Sequence, residues 1–167
     1  MRPFFPVVAV LLVLLGCSQP MTTKIREDYF SIELPGKWLS AAHEENDVGR
    51  FAYHSESNEQ ITVSIFLANP RLTSSEVEDK FRSFMEIRRA AETTEDPSVE
   101  LLDTKVSRHG QGMTGFYQGR NSSGRRLANF TIVNSAGIAN FYYEGIVPAV
   151  LFAERARLIF KEVTFIE

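Results

Sequence analysis

Apolar positions in this 167-residue chain follow three patterns, each predicting a different element. From Phe4 to Leu15 the run is almost unbroken. Phe30, Ile32 and Leu34 alternate with Ser31 and Glu33, the period of a strand with one buried face. Pro35-Gly36 breaks that strand, and Trp38 follows on a second extended piece as a core anchor. Phe51 and Tyr53 share a face of the segment 48–54, and Ile61, Val63, Ile65 and Leu67 share a face of 60–67. With the turn-like Ser55-Glu56-Ser57-Asn58 between them, these two segments read as a hairpin.

From Thr73 the period changes. Thr73 and Glu76 have the spacing of a capping box, and Leu72 with Val77 the spacing of a hydrophobic staple. Val77, Phe81, Phe84 and Ala91 then recur at helical spacing opposite Glu78, Lys80, Arg82 and Glu86, which predicts a helix fraying near Thr93. Strands are predicted over 99–107, 113–119, 126–134 and 138–146, joined by turns short enough to require antiparallel neighbours. The last two strands are apolar on both faces, so layers are expected on both sides of the sheet. Pro148 opens a final helix whose apolar stripe is Phe152, Ala156, Ile159 and Val163.

The first pattern is a targeting signal. An apolar run of this length behind Arg2 is too short to span a bilayer, which takes roughly 20 residues. Leu14-Leu15-Gly16-Cys17 resembles a bacterial lipobox, in which Cys17 takes the lipid and becomes the mature N-terminus. A lone cysteine is otherwise a buried core residue, but position favours lipidation here. The chain divides into a signal at 1–16, a polar tether at 17–28 and one α+β domain at 29–167. Several acyl chains give stable anchoring, and Ser18 rather than Asp after the cysteine favours the outer membrane, facing the periplasm. Removing Arg2 with the signal leaves 17 basic and 21 acidic side chains, net −4, which argues against nucleic acid as a partner.

The segment Tyr29-Phe30-Ser31-Ile32-Glu33-Leu34-Pro35-Gly36-Lys37-Trp38 is similar to the opening of the PsbP-like superfamily, which includes DcrB-like bacterial envelope lipoproteins. The order that follows matches too: a hairpin ending in Ile61-Thr62-Val63-Ser64, a central helix, a meander and a terminal helix. The resemblance spans residues 29–166. It implies an antiparallel sheet flanked by helices, an α-β-α sandwich, in a family whose members mostly bind partners. It carries no catalytic or ligand motif onto particular residues, and fold alone does not choose a function.

The residues themselves point away from an enzyme. His43, Glu44, Glu45 and Asp47 are the densest set of possible ligands, but they lack the His-Glu-x-x-His spacing and read as a solvated loop. Ser122 and Ser123 lack the Gly-x-Ser-x-Gly of a nucleophile elbow, and lipidation of Cys17 leaves no thiol. No metal or cofactor is expected. Arg120, Arg125 and Arg126 gather positive charge on a hairpin tip, either as a soluble end or as a contact for an anionic headgroup or acidic partner. Tyr117, Phe141 and Tyr143 are plain core or the lining of an apolar pocket between sheet and helix. The expectation is a lipid-anchored, non-enzymatic protein that binds another envelope protein. The alternative is a binder of an apolar or amphipathic small molecule.

Overall fold

The alternation at Phe30, Ile32 and Leu34 becomes β2 (Phe30–Pro35), with all three side chains buried. The computed structural model describes residues 22–45 and 49–166, with the backbone alone for 42–45. Cys17, the signal 1–16 and the side chains of His43, Glu44, Glu45 and Asp47 lie outside the described residues. Part of the expected tether is folded: Thr22–Arg26 form β1, paired antiparallel with β2 from Thr22↔Pro35 to Arg26↔Ser31. Its side chains are polar except Ile25, which packs against the core, so no sequence alternation marks it.

The remaining strands are β3 (Trp38–Glu45), β4 (Gly49–Ser55), β5 (Glu59–Leu67), β6 (Glu100–Leu101), β7 (Lys105–His109), β8 (Gly112–Arg120), β9 (Arg126–Asn134), β10 (Gly137–Gly145) and β11 (Thr164–Phe165). Eight of these form one sheet in the order β3-β4-β5-β10-β9-β8-β6, with β7 also on β8; β1, β2 and β11 form a second, three-stranded sheet. The predicted hairpin is β4-β5 and the predicted meander is β8-β9-β10. The strand expected over 99–107 is interrupted at 102–104, where the register against β8 shifts by one residue between Leu101↔Gly119 and Lys105↔Phe116. Arg89 there donates to the Leu102 carbonyl at 3.1 Å and to Thr104 Oγ1 at 2.6 Å.

Helix α1 (Ser74–Glu95) starts where the capping box places it, with Thr73 as N-cap and both of its hydrogen bonds to Glu76 formed. Its buried stripe is Val77, Phe81, Met85 and Glu92, turned from the expected Phe84 and Ala91. Phe84 instead meets Phe66 edge to face at 5.7 Å. The helix lies close over β8 because Gly115 has no side chain. A Cβ there would come within 2.7 Å of Phe81 and 2.9 Å of Met85.

Helix α2 (Ala149–Lys161) buries Phe152, Ala156 and Ile159 as its pattern predicts, but against the other face of the main sheet. On that face Ile61, Val63, Ile65, Phe141 and Tyr143 join Phe30, Ile32 and Leu34 of the small sheet in one core. The face beneath α1 forms a separate cluster around Val77, Phe81, Met113, Tyr117, Leu127 and Val133. The sheet dominates, and the layer beside α2 is shared with three strands. The three-layer sandwich is therefore met only loosely, because β1 and β11 extend β2 into a sheet of its own.

Candidate functional site

A 22-residue helix cannot cover a sheet this wide, and α1 lies over β8 and β9. Beyond its edge, β5 and β10 turn polar on the same face. The alternates of the buried Ile61, Val63 and Ile65 are Gln60, Thr62 and Ser64; those of Phe141 and Tyr143 are Asn140, Tyr142 and Glu144. These side chains floor a cleft of about 450 Å³. Its walls are Arg88, Glu92, Glu95 and Asp96 at the C-terminal end of α1, Asn121 and Arg125 at the β8-β9 tip, and Arg50 on β4.

Asn140 ties the floor to a buried hydrogen-bond network on the neighbouring strand β9. Asn140 Nδ2 donates to Asn129 Oδ1 at 3.0 Å and to Thr131 Oγ1 at 2.9 Å, and the Thr131 hydroxyl donates to the same Asn129 oxygen at 3.0 Å. Asn129 and Thr131 are fully buried, so the interior of the sheet carries a polar path to the cleft. Asn129 Nδ2 and Arg88 Nε are buried donors with no hydrogen-bond partner among the described residues. Such groups are uncommon in folded proteins and need a reason.

Glu92 lies beside this floor, only 6% exposed. Arg88 pairs with it at 2.8 Å, and the hydroxyls of Tyr142 and Tyr117 donate to it at 3.2 and 3.4 Å. Burial holds its carboxyl above the usual glutamate range, against the opposing pull of Arg88 and the tyrosines. Burial and the Glu92 charge push both tyrosine hydroxyls upward. The Arg88 guanidinium lies over the Tyr142 ring at 5.4 Å, completing a closed set of partners. At the far wall Asn121 donates to Asp96 Oδ2 at 2.8 Å, tying the hairpin tip to the end of α1. The Ser98 and Asn121 hydrogen bonds hold Asp96 below the usual range.

The arginines predicted at the tip are there, but not as one patch. Arg120 pairs with Glu100 at 2.7 Å and Arg125 with Glu144, while Arg126 Nε donates to the Val147 carbonyl at 3.3 Å. Of the three, only Arg125 lines the cleft. Tyr117, Phe141 and Tyr143 do not come together. Phe141 and Tyr143 are core on the α2 side and Tyr117 is core on the α1 side, so among the described residues the three line no shared apolar pocket. Register is the reason: Phe116, Phe130 and Phe141 stand opposite one another, which puts Tyr117 with Asn129 and Tyr142. Tyr143 instead bonds the buried Glu59, which Arg155 of α2 also meets. A smaller groove of about 340 Å³ between α1 and β7, lined by Phe81, Met85, Val106 and Met113, is the more apolar opening. His54 near the end of β4 and His109 at the end of β7 are exposed. Among the described residues, no three His, Cys, Asp or Glu side chains are grouped as a metal would require.

Sequence reasoning missed the cleft because Gln60, Thr62, Ser64 and Asn140 look like an ordinary solvent face. The available signal was that a central strand as apolar as β10 carries Asn140 and Glu144 at all.

No family model matches the chain, and no curated protein matches it. Among solved structures it is similar to cyanobacterial PsbP (CyanoP) from Synechocystis sp. PCC 6803, with a TM-score of 0.64 and 11% identity over 90% of this chain and 96% of that one. A protein of Bacteroides thetaiotaomicron VPI-5482 aligns with a TM-score of 0.42 and 13% identity, over 83% of this chain and 46% of that one. The chain has a PsbP-like fold, an antiparallel sheet with two helices.

Proposed function

We propose that this chain is a lipid-anchored, non-enzymatic protein of the bacterial envelope, attached through Cys17, that binds another envelope protein in the polar cleft. The observation that carries the reading is the polar cleft floor of Gln60, Thr62, Ser64, Asn140 and Glu144 on a part of the sheet that α1 leaves uncovered. A cleft lined by both signs of charge and by amide and hydroxyl groups suits the backbone and polar side chains of a protein segment. Glu92 is enclosed by Arg88, Tyr117 and Tyr142, so it shapes the cleft rather than presenting a free acid to a substrate. The finer assignment to DcrB-like lipoproteins belongs to the same proposal and rests on the lipobox-like Leu14-Leu15-Gly16-Cys17 and the Leu34-Pro35-Gly36-Lys37-Trp38 motif. So does attachment to the outer membrane facing the periplasm.

The test is crosslinking and pulldown from intact cells with the full chain, wild type against Arg50→Glu combined with Glu95→Lys. Wild type should retrieve one discrete partner that the double variant loses. Recovery of the same proteins by both would reject the cleft as the docking place. For the anchor, intact mass of wild type and Cys17→Ser should differ by the acyl chains. A second reading, an apolar small-molecule binder, is favoured by one feature, the α1-β7 groove at Phe81, Met85 and Met113. Binding of an apolar dye that Met113→Arg abolishes would support it.

A further inference from the structure

Folding of Thr22–Arg26 into β1 determines which end of the domain an anchor at Cys17 holds. Thr22 pairs with Pro35, and Thr23 is stitched to the following turn: its hydroxyl donates to the Gly36 carbonyl at 2.8 Å and accepts from Trp38 N–H at 3.2 Å. That turn lies at one end of the molecule. Lys37 pairs there with Glu56 at 3.0 Å, Glu59 stands opposite Gly145, and Gly145 opposite Arg126. The 55–58 turn, the 121–125 tip and residues 146–148 therefore cluster around the point where the chain enters the fold.

Five residue steps separate Cys17 from Thr22. Even fully extended they span no more than roughly 17 Å. The nine residues of β10 are about 30 Å long. A leash shorter than the strands cannot bring the opposite end, at Gln111 and Asn134, down to the surface that holds the lipid.

The end so presented is suited to a bilayer. Val150 at 81% and Ile146 at 71% exposure are the two most exposed large apolar side chains among the described residues. Leu151 joins them on the first turn of α2. Beside them Arg126, the tip arginine whose contact is a carbonyl rather than a carboxylate, lies against Val147. Apolar side chains flanked by a cation match the boundary between acyl chains and lipid phosphates.

We propose that this end is a bilayer-contacting face: Ile146, Val150 and Leu151 enter the headgroup layer and Arg126 meets lipid phosphate. The proposal rests on the reading of Cys17 as the lipid anchor. It also places the cleft wall formed by Asn121 and Arg125 next to the membrane, so a partner segment reaches the cleft along the surface.

The test uses the full-length acylated protein in vesicles of phosphatidylethanolamine and phosphatidylglycerol. With Cys17 blocked by lipid, Val150→Cys and Gln111→Cys each accept one fluorophore. Quenchers attached to the lipids should dim the probe at Val150→Cys several-fold more than the probe at Gln111→Cys. Adding Ile146→Glu should remove most of that excess. Equal quenching at both positions, in protein whose mass shows the acyl chains, overturns the face and leaves the anchor standing. Absence of acyl mass on wild type overturns the anchor, and the face with it.

Discussion

The two faces of the main sheet are built on the same strands and end in opposite states. Toward α2, the buried alternates of β5 and β10 are apolar apart from Glu59, and Ile61, Val63, Phe141 and Tyr143 are fully buried. There a second sheet and a helix close over them, with Tyr143 and Phe152 stacked at 4.7 Å and Phe30 edge-on to Phe141 at 5.7 Å. Toward α1, the alternates of those residues are polar, and one helix covers only part of the width. The first face is shaped by the hydrophobic effect and holds the molecule together. The second is divided: Val77, Phe81, Leu127 and Val133 pack beneath α1, while beyond the helix the polar side chains of β5 and β10 floor a cleft. In the proposed reading, binding falls to the uncovered part of one face, while the α2 face and the cluster beneath α1 both supply stability, a division that strand alternation allows.

The largest expected effect comes from the closed face. Phe141→Ala, at a site that is 0% exposed, should cost about 3–5 kcal/mol in denaturant unfolding. A loss no greater than that of cleft substitutions would erase the distinction. Next is the ionic pin of the same face. Glu59 is 1% exposed and bonds Arg155 and Tyr143, so Glu59→Ala should cost about 2 kcal/mol. A double-mutant cycle with Arg155→Ala should show coupling between the two.

The open face should instead show its state through pH. Burial raises the folded-state pKa of Glu92 above its unfolded value. Its contribution to stability is then fully present below the unfolded pKa, about 4.3. It is lost as pH rises through the raised folded value. Glu92→Gln should flatten that part of the stability–pH curve, measured by melting wild type and variant across it; parallel curves would contradict a buried, raised carboxyl. The smallest effect on stability belongs to the cleft rim. Arg50→Glu with Glu95→Lys should change unfolding by no more than about 0.5 kcal/mol while removing the partner.

Much of the fold was legible along the chain. The alternation at Phe30, Ile32 and Leu34, the Thr73 capping box and the stripe Phe152, Ala156, Ile159 each follow from local periodicity, and local periodicity survives folding. What was not legible depended on long-range pairing. Thr22–Arg26 has no alternation, and only β2 makes it a strand. The β8, β9 and β10 registers decide that Tyr117 and Tyr143 face opposite ways, and a difference of one residue reverses that answer. Glu92 reads as a solvent-facing helix position until Tyr117 and Tyr142 close over it. The cleft was hidden for the same reason, since Gln60, Thr62 and Asn140 differ from a wet surface only in what α1 leaves uncovered.

The most direct test of the account compares the two sides in living cells, with a photo-crosslinking residue at Arg50 on the cleft rim and, separately, at Glu154 on the exposed side of α2. A discrete protein adduct is expected from position 50, weakened by Glu95→Lys, and none from position 154. Equal adducts from both positions, or an adduct from position 154 alone, would contradict the cleft as the place where this protein meets its partner.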